Sequence, residues 1–376
     1  MESTCTVPKV ADGPEVKTRL RRFMERLVAS GYAEFLSTID PYSYLPLLWP
    51  SLRSSAFPEL RTLIDLLLLN RNVHVEGLEE AVGDSWQVLA DIGLLTRSGE
   101  WVSIPGHSLL FYLGFFAFVD SPSNADPNVY FGDDSIALFC RLAPLPDDRV
   151  LDLCSGSGIQ ALKSAVHARS VDAVEVNAVP RRALQINVLL NALSDKISVF
   201  GGSLFDALPA GERYDLITAN PPLVPFPDGL AYPFVGHGGI DGFAVVRRII
   251  QGLPCRLSDR GRAQIIAMTF SSRGLPMVSD ELKALAGELD LDIQVTLINH
   301  FSLSDDSPYF QGLVKTAGAL GTQDLATIDS SFREELAKRN LTQLTPYYLA
   351  LRKGSGRVAY QNFTRIPHHG LWHVKI

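Results

Sequence analysis

Leu20, Phe23, Met24 and Leu27 recur at helical spacing, and Leu60, Leu63, Ile64, Leu67 and Leu68 repeat the pattern more strongly. The periodicity predicts a mainly helical region between about residues 16 and 104, with two shorter helices over 75–82 and 84–92. Residues 94–104 predict a small hairpin turning at Ser98-Gly99. From about residue 125 short β-rich runs alternate with helical segments, which implies right-handed crossovers and a mostly parallel sheet. Its strands are expected over 149–153, 171–176, 197–200, 214–219, 263–268 and 291–298. Two extended runs, 346–351 and 357–363, flank Gly354-Ser355-Gly356 and predict an antiparallel C-terminal hairpin at the sheet edge. The division expected is a flexible tail over 1–15, a helical domain over 16–120 and an α/β domain over 121–376.

Three helices followed by a hairpin have the order of a winged helix, a module that suggests DNA. The last of these helices carries Asp84 and Asp91, and Glu79 and Glu80 precede it, so it is ill suited to a phosphate-lined groove. The basic run Lys17, Arg19, Arg21, Arg22 and Arg26 is the contrary signal. Overall, 34 basic residues face 41 acidic ones, and the net charge of -7 gives no global attraction to nucleic acid. Packing, dimerisation or substrate covering is the favoured role for this domain, with a homodimer possible.

Four cysteines, Cys5, Cys140, Cys154 and Cys255, form neither a metal pattern nor a disulfide framework, which fits a cytoplasmic protein. His368, His369 and His373 lack an accompanying acid cluster, so no metal site is expected. The most apolar stretch, 109–119, is shorter than the roughly 20 residues needed to cross a bilayer. It reads as buried core, and no membrane partner is expected.

Candidate chemistry begins at the turn Asp152-Leu153-Cys154-Ser155-Gly156-Ser157-Gly158, which closes a strand where open α/β sheets bind ligands. Gly156, Gly158 and Ala161 also satisfy a dinucleotide-binding spacing, with Glu175 where a ribose-binding acid belongs, so a nicotinamide site has to be weighed. Asp152 favours a ligand bearing an ammonium group over one bearing a pyrophosphate. Glu175 can accept hydrogen bonds from both ribose hydroxyls.

The second element, Asn220-Pro221-Pro222, follows the apolar run 215–219. Two prolines remove two backbone donors and fix both φ angles, which leaves a rigid acceptor surface. The Asn220 amide oxygen and the Pro221 carbonyl can then hold an N–H pair and aim the nitrogen lone pair. That element has no role in hydride transfer, and together the two elements point to methyl transfer from S-adenosylmethionine.

The turn 152–158, the run Ala183-Leu184-Gln185-Ile186-Asn187 through Asn191, Asn220-Pro221-Pro222, and Gly238-Gly239-Ile240-Asp241-Gly242 followed by Arg247-Arg248-Ile249 resemble class I methyltransferases. The likeness is to the HemK/PrmC-type glutamine methyltransferases and related "methyltransferase small domain" enzymes, over about residues 125–310. It implies a Rossmann-like sheet carrying an N-terminal winged-helix-like domain. It also implies that Asp152, Cys154, Gly156 and Gly158 cradle the methionine part of S-adenosylmethionine, and that Glu175 and Asn177 hold the ribose. Ser203, Leu204 and Phe205 would border the adenine, with Ser203 or Asp206 replacing the family's acid. Asn220 and Pro221 would act on the acceptor, with Tyr130, Asp134, Pro222, Leu223, Phe226, Tyr232 and His237 around it.

Leu223 stands where the family carries an aromatic residue, which favours a small-molecule or peptide-like acceptor methylated on nitrogen. Protein glutamine methylation is the alternative. His237 is a candidate general base for an oxygen or protonated-amine nucleophile. A nucleic-acid-binding regulator with a ligand-sensing sheet is the alternative of another class.

Overall fold

The computed structural model describes residues 12–38, 49–121, 124 and 126–364. Residues 1–11 of the expected tail and His368, His369 and His373 lie outside these residues.

Helix α1 (Pro14–Ala29) starts on a proline at its first position and buries Leu20, Phe23, Met24 and Leu27, the four positions of its apolar stripe. It packs against α2 (Tyr32–Ser37); α3 (Trp49–Ser55) and α4 (Arg61–Leu63) follow, and α4 runs on as a π-helical turn over Ile64–Leu68. Strand β1 (Val73–His74), α5 (Val75–Val82), α6 (Val88–Asp91), β2 (Thr96–Ser98) and β3 (Trp101–Ser103) complete this unit, whose sheet order is β1-β3-β2. Helices followed by a two-stranded wing match the winged-helix order expected from the sequence. The basic face of α1 is partly consumed internally: Arg19 pairs with Asp91 at 2.5 Å and Arg22 with Asp84 at 3.2 Å.

The apolar run 109–119 contributes Leu109, Leu110, Phe116, Ala117, Phe118 and Val119 to the core, as expected, but it is a strand pair: β4 (His107–Tyr112) and β5 (Phe115–Asp120) turn at the exposed Leu113-Gly114, both at positive φ. This hairpin lies between the helical unit and the large sheet. Successive elements are then α7 (Asp133–Arg141), β6 (Arg149–Leu153), α8 (Ile159–His167), β7 (Ser170–Glu175), α9 (Ala178–Leu190), β8 (Ile197–Gly201), β9 (Tyr214–Ala219), α10 (Ala244–Arg256) and β10 (Leu257–Ser272). Beyond them come β11 (Leu275–Pro276), α11 (Ser279–Glu288), β12 (Leu291–Leu297), β13 (Phe301–Ser302), α12 (Pro308–Leu320), α13 (Leu325–Lys338), β14 (Gln343–Lys353) and β15 (Val358–Asn362).

The large sheet runs β15-β12-β14-β10-β9-β6-β7-β8. The block from β10 to β8 is parallel, and β14 enters antiparallel between β10 and β12. Every residue of β9 is buried, as its central place between β6 and β10 requires. The sheet edge differs from the expected hairpin, because β14 and β15 do not pair with one another but flank β12, with β15 parallel to it. The Asp292 carboxylate, at the start of β12, accepts the Ser355 and Arg357 amides at 3.0 and 3.2 Å and draws the connection around the strand end to its far side.

Two side chains, one in the last turn of α9 and one at its C-cap, tie the hairpin to the sheet domain. Asn187 accepts the Phe118 N–H at 2.7 Å and donates to the Phe118 carbonyl at 3.0 Å, and Asn191 repeats this on Phe116 at 3.0 and 2.7 Å. Spaced one helical turn apart, the amides satisfy alternate backbone groups of β5 as a neighbouring strand would. Asn187 also donates to the Ser157 carbonyl at 2.8 Å, inside the glycine turn.

Gly242 fixes the loop before α10: its φ is +70°, and a Cβ there would sit 2.2 Å from the Met268 carbonyl oxygen and 2.7 Å from that of Leu223. Gly242→Ala is expected to destabilise the protein by about 1–3 kcal/mol, read as a lower urea midpoint.

Candidate active site

The tips of β6, β7 and β9 converge on a cavity of about 290 Å³. Positive φ angles at Cys154 (56°), Gly156 (52°) and Gly158 (82°) fold the turn after β6 back over the sheet. Gly158 then begins α8 against Leu184, whose Cδ1 would lie 2.2 Å from a Cβ at that position. Glu175, at the end of β7, accepts the Gly156 and Asn177 amides at 2.9 Å each, one on each oxygen. Each oxygen keeps a lone pair for a ribose hydroxyl. Burial raises the pKa of this carboxyl, and the backbone amides oppose that shift.

Asp152 is placed differently from the sequence expectation. Its carboxyl is 1% exposed and lies beneath the turn, outside the cavity lining, with Oδ2 unpartnered. Burial pushes its pKa to about 8, opposed by its hydrogen bonds with Ser155 and Ala161 and reinforced by the charge of Glu175. The folded protein therefore holds a proton that the unfolded chain releases near pH 4, and stability falls as pH rises between those values by up to about 1.4 kcal/mol per unit. Asp152→Asn should flatten this part of the profile: its melting temperature should exceed the wild type's at pH 8 and converge with it toward pH 4.

Asn220 follows β9. Its Nδ2 donates to Asp134 at 2.9 Å and to Ser135 at 3.4 Å, and its Oδ1 is buried without a partner. Tyr130 hydrogen-bonds the same carboxyl, and burial raises the pKa of Asp134 against both bonds. Since a carboxyl at Asp134 claims the amide nitrogen, the amide oxygen is left as the acceptor that Asn220 brings to the cavity. Asp134, expected at the acceptor, thus also orients Asn220.

Of the residues singled out in the sequence, Cys154, Gly156, Glu175, Asn177, Ser203 and Leu204 line the cavity. Tyr130, Asp134, Asn220, Pro221, Pro222 and His237 complete it. Leu223 and Tyr232 line a neighbouring cavity instead. Gly158 lies behind the turn, and Phe205 packs against Gly252 and Arg256. Phe226 is 0% exposed, wedged between Tyr232 and Phe332, so it builds the core and reaches neither cavity. His237 Nδ1 accepts the Gly239 amide at 3.2 Å. The neutral ring therefore carries its hydrogen on Nε2 and offers no lone pair as a base.

Arg248 and Gln160, to which sequence reasoning assigned no role, also line the cavity, as does Phe234. Arg248 donates to Ser203 at 3.2 Å, whereas its neighbour Arg247 is held by Asp241 at 2.7 Å and by Glu281. The available signal was the spacing of Val245 and Arg248, one turn apart at the start of α10 and both on the cavity. Asp206 is exposed and outside the lining.

Residues 133–275 match the methyltransferase small domain family. Over these residues the chain is similar to class I, S-adenosylmethionine-dependent methyltransferases of the HemK/PrmC-like branch. Similar curated proteins include a ribosomal protein uL3 glutamine methyltransferase of Bradyrhizobium diazoefficiens, 36% identical over 35% of this chain and 44% of that protein. A release factor glutamine methyltransferase of Rhodopirellula baltica is 29% identical over 39% of this chain and 51% of its own. The chain thus spans about half the length of these relatives. Among solved structures, the Methanocaldococcus jannaschii tRNA m1G37 methyltransferase aligns with a TM-score of 0.41 at 13% identity, over 66% of this chain and 57% of that one. Among the described residues no helix is long and apolar enough to cross a membrane.

Proposed function

We propose that this protein transfers a methyl group from S-adenosylmethionine to the side-chain amide nitrogen of a glutamine in a protein. The observation that carries the reading is the unpartnered Asn220 Oδ1, buried at the cavity beside Pro221. The named activities of the similar proteins favour a polypeptide acceptor over a free small molecule.

The residues fit the donor: Glu175 keeps acceptor capacity for the ribose, and Asp134 and Glu175 outnumber Arg248 around a ligand that carries a sulfonium. When bound, the donor supplies an activated methyl group. Asn220 Oδ1 and the Pro221 carbonyl each accept one N–H of the acceptor amide, turning its nitrogen toward that methyl. The nitrogen so held would take the methyl group that a bound sulfonium supplies and would give up one N–H proton to water. Orientation of this kind supplies up to roughly 7–11 kcal/mol without a strong base, consistent with the engaged Nδ1 of His237.

The test is incubation with radiolabelled S-adenosylmethionine and separated ribosomal proteins and release factors, followed by peptide mass mapping. One methyl group on a glutamine amide is expected. Label confined to nucleic acid or to small molecules would overturn the reading. Internal neutralisation of Arg19 and Arg22 gives no support to the nucleic-acid alternative.

A further inference from the structure

A second cavity, about 410 Å³ in volume, lies across Tyr130 and Asp134 from the first and shares Val235 with it. Leu223, Tyr232, Met268, Tyr309, Leu313 and Leu344 form its apolar walls. Its charged lining consists of Asp133 and Asp134, with no Lys, Arg or His among the described residues. Burial, reinforced by the Asp134 charge, raises the Asp133 carboxyl to about 6.

Tyr309 and Leu313 lie on α12, one turn apart and beyond residue 275, where the family match ends. That wall is rigidly held. Pro308 opens α12, Ser307 caps it on the Phe310 amide, and the Tyr309 ring stacks on Phe301 with centroids 3.7 Å apart. Phe310 meets Phe332 of α13 edge to face. The roof is Leu223-Val224, pinned by the bridge between Val224 and His237.

We propose that this second cavity receives a large apolar side chain of the acceptor protein, next to the glutamine whose amide enters the first cavity, so that α12 sets acceptor choice. The inference rests on the polypeptide-acceptor reading above. The shared walls Tyr130, Asp134 and Val235 set the two cavities side by side, so that one acceptor chain can reach both. Apolar walls without a cation favour leucine or phenylalanine and reject an acidic side chain, whose charge would be desolvated beside two carboxyls.

Binding of fluorescent glutamine peptides to the protein saturated with S-adenosylhomocysteine tests this without requiring turnover. The residues flanking glutamine are varied among leucine, phenylalanine, alanine and aspartate. Leucine or phenylalanine should bind about tenfold or more tighter than alanine, with aspartate weakest. Leu313→Trp, which fills the cavity, should erase that advantage while leaving S-adenosylhomocysteine affinity within about twofold. Leu313→Ala should move the preference from leucine toward phenylalanine, a gain that a misfolded variant cannot give. Indifference to the flanking residue, unchanged selectivity in both variants, or no peptide binding would overturn the inference. Selective binding without methyl transfer would support it while overturning the glutamine reading.

Discussion

Asn220→Ala is expected to lower kcat by about 10²–10³-fold, the usual scale for removing one pre-oriented polar group from a reacting centre. S-adenosylmethionine affinity should stay within about threefold, because on the proposed reading the donor's ribose and methionine contacts lie on the β6 and β7 tips. Product formation measured by chromatography, set beside calorimetric binding, separates the two effects. Equal losses in both would mean that Asn220 serves as a wall for the donor. The unpartnered oxygen makes the expectation specific: alanine removes an acceptor that the folded protein leaves open, and it disturbs only the bonds to Asp134 and Ser135.

Asn187→Ala should be the most damaging substitution for stability. It strips partners from the Phe118 N–H, the Phe118 carbonyl and the Ser157 carbonyl around a side chain that is 0% exposed. Orphaned buried groups cost about 1–3 kcal/mol each, so a total of about 3–9 kcal/mol is expected in urea unfolding. Donor affinity should fall as well, since Ser157 belongs to the glycine turn. Asn191→Ala, at a half-buried position that touches no part of that turn, should cost less and leave donor binding unchanged. A loss below about 1 kcal/mol for Asn187→Ala would show that water replaces the amide.

Much of this was legible in the chain because local pattern and tertiary environment agree. The six expected sheet strands are found within a residue or two, except β10, which extends well beyond 263–268 at both ends. The run 109–119 was legible as core but not as a hairpin, because residues buried on both faces show no alternation. The C-terminal strands were legible individually while their pairing was not: a glycine turn predicts a hairpin, and only the distant Asp292 redirects it. At the site, Glu175 and Asn220 announced themselves through strand-end position. Asp152 occupies a strand end too, yet its burial beneath the turn depends on how α8 packs, which no local spacing encodes. The approach of Asp134 to Asn220 joins residues 86 positions apart and was equally hidden.

The placement of β15 carries a consequence for biogenesis. Strand β12 acquires its second neighbour only once residues 358–362 have been synthesised, some 60 positions after its own. Until then its outer N–H and C=O groups form an open template for another nascent or unfolded molecule. A protein shortened at Gly354 should therefore tend to self-associate along this margin, and its yield as a monomer should depend on how quickly the final strand arrives.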